Sequence, residues 1–177
     1  IKVIDCAELG DGRPYYTMEL IRGVSLAAHI AKERSLSIPE VLLISRQIAK
    51  GLAAAHATGV IHRDLKPDNI MLVQTDQSAV NLPPIVKVVD FGIMAFQDEV
   101  HPEKSGTPGY IAPEHITGTP PSRTTDIYAL GTIMYEMIVG KLPYPQASYA
   151  AYVDAIKKAA PPRLDNLSIK KRLPANL

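Results

Sequence analysis

Tryptophan is absent from the 177 residues, phenylalanine occurs twice and cysteine once. With Cys6 alone, no disulfide can form within the chain, and a reducing compartment such as the cytoplasm is expected. Neither sign of charge is in excess: 19 Lys and Arg stand against 18 Asp and Glu, a net charge of +1. Such a balance makes no field strong enough to recruit nucleic acid or an anionic membrane, so neither is an expected partner. No apolar run approaches the roughly 20 residues that cross a bilayer, so no membrane segment is expected in the chain. The opening "IKVIDCAELGDG" has none of the basic, apolar and small-residue zones of a signal peptide. It also lacks an initiator Met and begins inside a strand-like run, which reads as a piece cut from something longer. There is no internal repeat, and His101 and His115 have no neighbours at metal-ligand spacing.

What is present suits one folded domain. Hydrophobic residues make up 46% of a chain long enough for a sizeable core. "IKVIDCAEL" and "PYYTMELI" flank an Asp-Gly pair, a hairpin signal. The break "IRGVS" and a short amphipathic piece, "LAAHIAKE", follow. A long helix then opens at Ser37 and Glu40, which have capping-box spacing, with Pro39 in its first turn. Val41, Ile44, Ile48, Leu52 and Ala55 form its apolar stripe, and Gly59 ends it. "IMLV" and "IVKVVDFG" read as strands on either side of a polar loop. The segment from Gln97 to Gly118 reads as a long ordered loop, which is uncommon unless functional. A second helix runs from about Thr125 to Val139, with Ile127, Leu130, Met134, Met137 and Ile138 on its buried face and Gly140 as its stop. "SYAAYVDAIKKAA" is a third helix, closed by Pro161 and Pro162. The result is an α-rich α+β arrangement.

The chemistry concentrates in "VIHRDLKPDNIML", residues 60–72. Asp64 can accept a proton, Lys66 can hold an anionic group, and Asn69 offers a neutral oxygen to a hard cation. Asp90 ends the next β-rich run with a carboxylate suited to Mg²⁺, and Gly92 lets the backbone turn after it. Two carboxylates, an amide and an ammonium around one cleft suit phosphoryl transfer, where catalysis is mostly positioning and charge neutralisation. Clustered charge is costly unless partnered, so these residues are poor candidates for mere packing.

Four motifs in order resemble the protein kinase family: "HRDLKPDN" its catalytic loop, "DFG" its metal-binding turn, "GTPGYIAPE" the end of its activation segment, "DIYALG" its large buried helix. The resemblance covers nearly the whole chain. It implies a kinase-like fold, with residues 1–20 the end of the N-lobe strands and 21–177 a C-lobe cut before its last helices. It implies ATP and Mg²⁺ as cofactors and a Ser/Thr-bearing protein as substrate. Asp64 would orient and deprotonate the substrate hydroxyl, Lys66 would steady the phosphoryl group, and Asn69 and Asp90 would hold two Mg²⁺ ions. Thr107 would bond Asp64 and Lys66. Arg63 would brace the activation segment, and Asp126 would hold the catalytic loop from beneath. Met18 would limit the back pocket, the backbone of Glu19 and Ile21 would bond adenine, Met71 would lie under the ring, and Ser25 would reach the ribose. "DLKPDN" resembles serine/threonine rather than tyrosine kinases, and "GLAAAHATGVIHRD" resembles bacterial members.

The chain departs from the family pattern in places. It contains no G-x-G-x-x-G, and the upstream Lys and helix Glu that pair in the family do not precede Ile1. In the family Glu114 would pair with an Arg from the last helices; whether Arg163, Arg172 or a lysine takes that place is not fixed by the sequence. Glu103 stands four residues before Thr107, where many relatives carry a phosphorylated Thr, and is a candidate partner for Arg63; Ser105 and Thr107 are candidate autophosphorylation sites. The expected function is ATP- and Mg²⁺-dependent phosphorylation of protein Ser/Thr by the parent protein, with little activity in these residues alone. The alternatives are a catalytically dead kinase-like scaffold, or a small-molecule phosphotransferase of related fold. The parent is expected in the cytoplasm, or as the cytoplasmic part of an anchored protein.

Overall fold

In a computed structural model, residues 1–74, 83–91, 107–144 and 148–164 are described. Expectations on Gly92, His101, Glu103, Ser105 and Arg172 fall outside them. The Asp-Gly pair makes the expected hairpin: β1 (Val3–Glu8) lies antiparallel to β2 (Pro14–Met18). Gly12 adopts φ +85° in the turn, where its lack of a Cβ removes the steric cost. The turn closes through Leu9 N–H to Arg13 O at 2.8 Å and Gly12 N–H to Leu9 O at 2.9 Å.

The "IRGVS" break contains a strand that periodicity did not reveal. β3 (Val24–Ser25) is too short to alternate visibly, yet it pairs with β4 (Ile70–Val73), which pairs with β5 (Ile85–Val88) in an antiparallel sheet. A Cβ on Gly23 would sit 2.5 Å from the Leu72 carbonyl oxygen, so glycine is what lets the two backbones approach. Ser25 caps α1 (Leu26–Glu33) by accepting from Ala28 N–H at 3.2 Å.

α2 (Ile38–Ala57) buries Val41, Ile44, Ile48 and Leu52, as the stripe requires. Its N-terminus differs from expectation. Ser37 makes no side-chain cap, and Glu40 turns away to His29 Nε2 of α1 at 2.8 Å, so the capping box does not form. Gly59, at φ +81°, lets Val60 N–H fold back onto Ala55 O at 3.0 Å and ends the helix.

Within the stretch read as a loop, residues 107–118 include a short helix, α3 (Pro113–Ile116). α4 (Arg123–Val139) begins in a true capping box between Ser122 and Thr125. Its buried face carries Asp126, Ala129, Leu130, Ile133, Met137 and Ile138. Ile127 is 55% exposed and corrects the expected face: it lies one position round from Asp126, about 100° away on a helix. α5 (Tyr149–Lys158) follows, its Tyr152 hydroxyl donating to Ile111 O at 2.6 Å.

The core joins Leu26, Ile44, Ile48, Leu52, Leu65, Ile70, Ile133 and Met137; a smaller cluster holds Ile111, Tyr144 and Tyr152. Glu114 is half-buried, not enclosed, and accepts from the Thr124 hydroxyl at 3.2 Å. Among the described residues, no helix is long and apolar enough to cross a membrane.

Gly140 ends α4 at φ +77°, and a Cβ there would overlap the Arg34 carbonyl oxygen. Gly131, inside the same helix, has open space around it. Gly140→Ala should therefore cost roughly 2–3 kcal/mol from overpacking and backbone strain. Gly131→Ala should gain about 0.5–1 kcal/mol. Urea denaturation of the two variants checks this; equal effects would refute the account.

Candidate active site

The site is built on a buried carboxylate. Asp126, 1% exposed near the start of α4, faces residues 56–63. Its Oδ2 accepts from His56 Nε2 at 2.7 Å and from His62 N–H at 2.9 Å, and its Oδ1 accepts from Arg63 N–H at 3.0 Å. Arg63 is thereby held at φ +71°, a conformation that needs such support in a non-glycine residue. His56 lies one turn beyond Leu52 on the buried stripe of α2. Sequence reading passed over it, although a polar residue continuing an apolar stripe is itself a signal.

His62 joins the loop to the strand that ends at Asp90. Its Nε2–H donates to Val89 O at 2.9 Å, which sets the tautomer, because a carbonyl can only accept. Nδ1 is then an unprotonated nitrogen, buried with no hydrogen-bond partner among the described residues. The ring stacks at a tilt on Phe91, centroids 4.7 Å apart. Burial lowers the His62 pKa, so the ring is neutral near pH 7.

Held this way, the loop turns its functional groups together. Lys66 Nζ donates to Asp64 Oδ2 at 2.7 Å and to Thr107 Oγ1 at 2.9 Å. In the described hydrogen bonds, Thr107 thus meets Asp64 through the ammonium, not by the direct bond expected. Tyr110 N–H donates to Thr107 O at 3.2 Å, and the Tyr110 hydroxyl donates to Glu136 at 2.6 Å, which ties this segment to α4. Burial raises the pKa of both Tyr110 and Glu136. Asn69 Nδ2 donates to Asp64 O at 2.9 Å, so the carboxamide oxygen is turned away from that bond. Val89 N–H donates to Asn69 O at 2.9 Å. Asp90 follows at φ +62°, its Oδ1 accepting from the Tyr16 hydroxyl at 3.1 Å.

Among the described residues, no group of three His, Cys, Asp or Glu could hold a metal ion. The donors that could serve Mg²⁺ are the Asn69 amide oxygen and the Asp90 carboxylate. Both are hard oxygen ligands, and Mg²⁺ is commonly held by one or two carboxylates plus substrate phosphates, so they fit the ion.

Of the second group of predicted residues, Ser25 and Met71 lie in the three-stranded sheet and Glu19 reaches it through Lys87. Ser25 stands opposite Met71, and Met71 stands opposite Lys87. Lys87 Nζ reaches Glu19 Oε2 at 2.8 Å. Glu19 N–H is engaged with Lys2 O at 3.1 Å. Ile21 N–H makes no backbone hydrogen bond among the described residues. Met18 ends β2, partly buried.

A helical body whose buried carboxylate fixes a loop bearing carboxylate, ammonium and carboxamide, beside a strand ending in a second carboxylate, has the make-up of a phosphotransferase. Comparison with known proteins is specific on this point. The protein kinase domain family matches residues 1–172. A serine/threonine-protein kinase of Myxococcus xanthus is 40% identical over 155 residues, 85% of this chain and 22% of that protein. The serine/threonine-protein kinase PknE of Mycobacterium tuberculosis is 38% identical over 165 residues, 91% of this chain and 28% of that protein. The chain belongs to the protein kinase family, and the resemblance to bacterial serine/threonine kinases is sustained. It spans less than a third of the length of these two relatives.

Asp126→Asn would set an amide N–H against a donor and should cost roughly 2–4 kcal/mol in urea denaturation. A loss under about 1 kcal/mol would mean that the three bonds do not hold the loop. For His62, the folded pKa lies below the unfolded value of about 6.5. The unfolded chain therefore takes up the proton first as pH falls. The stability from neutral His62 is complete above about pH 6.5 and declines below it. In NMR titration the His62 ring should show a midpoint below about 6.5; a midpoint at or above it would refute the assignment.

Proposed function

We propose that the protein containing this chain transfers the γ-phosphoryl group of ATP to serine and threonine hydroxyls of protein substrates. The observation that carries this reading is the Asp64–Lys66–Thr107 chain of contacts, stitched through Asn69 and Val89 to Asp90. Asp64 accepts the proton as the substrate oxygen bonds to phosphorus and the bond to the ADP oxygen breaks. Lys66, already paired with Asp64, neutralises charge on the phosphoryl group, and Thr107 holds that ammonium in place. Asn69 and Asp90 would hold Mg²⁺, which supplies charge neutralisation at the phosphates. The carbonyl of Glu19 and the N–H of Ile21 would bond adenine, between Met18 at the back and Met71 below, with Ser25 toward the ribose.

Support for serine/threonine specificity comes from "DLKPDN" and from the names of the relatives. Residues 1–20 are read as the end of an N-lobe and 21–177 as part of a C-lobe, in a cytoplasmic protein or the cytoplasmic part of an anchored one. Residues 1–177 contain no G-x-G-x-x-G of the kind that covers the phosphates in the family, so these residues alone should turn over poorly.

A radiolabelled-ATP assay tests this. The full-length protein should label protein serine or threonine. Asp64→Asn should lose roughly 100-fold or more, the scale of a lost general base. A polypeptide of residues 1–177 should fall far below full length. Label on tyrosine or on a small molecule, or full activity in the Asp64→Asn variant, would reject the reading.

A further inference from the structure

Among the described residues, two side-chain contacts fasten residues 1–19 to the rest of the molecule: Tyr16 to Asp90 at 3.1 Å and Glu19 to Lys87 at 2.8 Å. Both land on β5 or the residues just beyond it. The hairpin is otherwise open to solvent among the described residues: β1 is exposed along its whole length and Leu20 is 84% exposed. The ion pair's side chains are 31% and 35% exposed, neither freely solvated nor enclosed. The Glu19 carboxylate also accepts from Lys2 N–H at 3.1 Å, so it has a fixed position in the hairpin. Its pKa is lowered, chiefly by the bond from Lys87. Lys87 stands beside Met71 in the sheet. Its side chain therefore joins the sheet that carries Met71 to the backbone proposed to bond the base.

We propose that Lys87 is a positioning residue for the nucleotide: by gripping Glu19 it holds the Glu19–Ile21 backbone to the sheet that carries Met71, with Tyr16 on Asp90 as a second fastening. Lys87 acts through Glu19 and does not touch the ligand. This rests on the proposed function for its nucleotide readout, but the fastening itself can be measured without nucleotide.

The experiment uses the full-length protein with Lys87→Glu, Glu19→Lys, both together, and Lys87→Arg. Lys87→Met, which keeps the side-chain stem, serves if the reversed charge prevents folding. Hydrogen exchange of the peptide spanning residues 16–23 is followed without ligand, and affinity is measured with a fluorescent ADP analogue. Each single reversal should speed exchange and weaken binding roughly three- to tenfold, in keeping with a coupling of modest size. The double reversal and Lys87→Arg should return both to near the parent values. Unchanged exchange in the single variants would overturn the proposal. So would weaker binding that the double reversal does not restore, because Lys87 would then be attracting the anionic ligand directly. If exchange responds but the unmodified protein binds no ADP analogue, the kinase reading and the positioning role fall, and the fastening alone stands.

Discussion

The arrangement of the site depends on one desolvated carboxylate. Asp126 has left water for the interior, a transfer that is costly unless its oxygens find donors. It finds three, from two stretches of chain: one ring nitrogen on α2 and the two successive backbone N–H groups of His62 and Arg63. Because those two N–H groups must point the same way, Arg63 is forced into a left-handed conformation. That turn carries the chain on to Asp64, Lys66 and Asn69. These residues are thus oriented by backbone geometry imposed from below, and their side chains bond one another above it: Lys66 to Asp64 and Thr107, and Asn69 to the Asp64 carbonyl.

A second layer of contacts relates this loop to the strand carrying Asp90. His62 and Asn69 each bond Val89, one through a ring and one through the main chain. Both bonds end on backbone groups of Val89, so the spacing between loop and strand is insensitive to rotation of its side chain. Apolar packing around Leu65, Ile70 and Ile133 surrounds this polar frame and keeps water from competing for it. The hairpin is different in kind. Its first strand is exposed along its whole length, and among the described residues its side-chain hydrogen bonds to the rest of the structure run from Tyr16 and Glu19.

Much of the candidate site was legible in the sequence because its chemistry is local. Asp64, Lys66 and Asn69 lie within six residues, and Asp90 ends a recognisable strand. The helices and the hairpin were legible for a similar reason: periodicity, Asp-Gly, and the stops at Gly59 and Gly140 are all short-range signals. What escaped reading depends on partners distant in the chain. β3 is a strand only because Leu72 and Met71 lie beside it. Glu40 leaves its capping box because His29 is within reach. Ile127 fits a helical count but points to solvent, because Asp126 fixes which face of α4 turns inward. His56, Tyr16 and Lys87 carried no sequence motif, since each matters only through a partner between 68 and 74 residues away.

By itself, the sequence determined the reactive groups, their order and the elements that bear them, because residue type and short-range spacing settle what a segment can do and what conformation it prefers. Tertiary structure alone decided which of those groups meet, which oxygen of each carboxylate is already occupied, and which face of α4 is buried. Those outcomes follow from burial and from competition among distant hydrogen-bond partners, which act only once the chain has closed on itself.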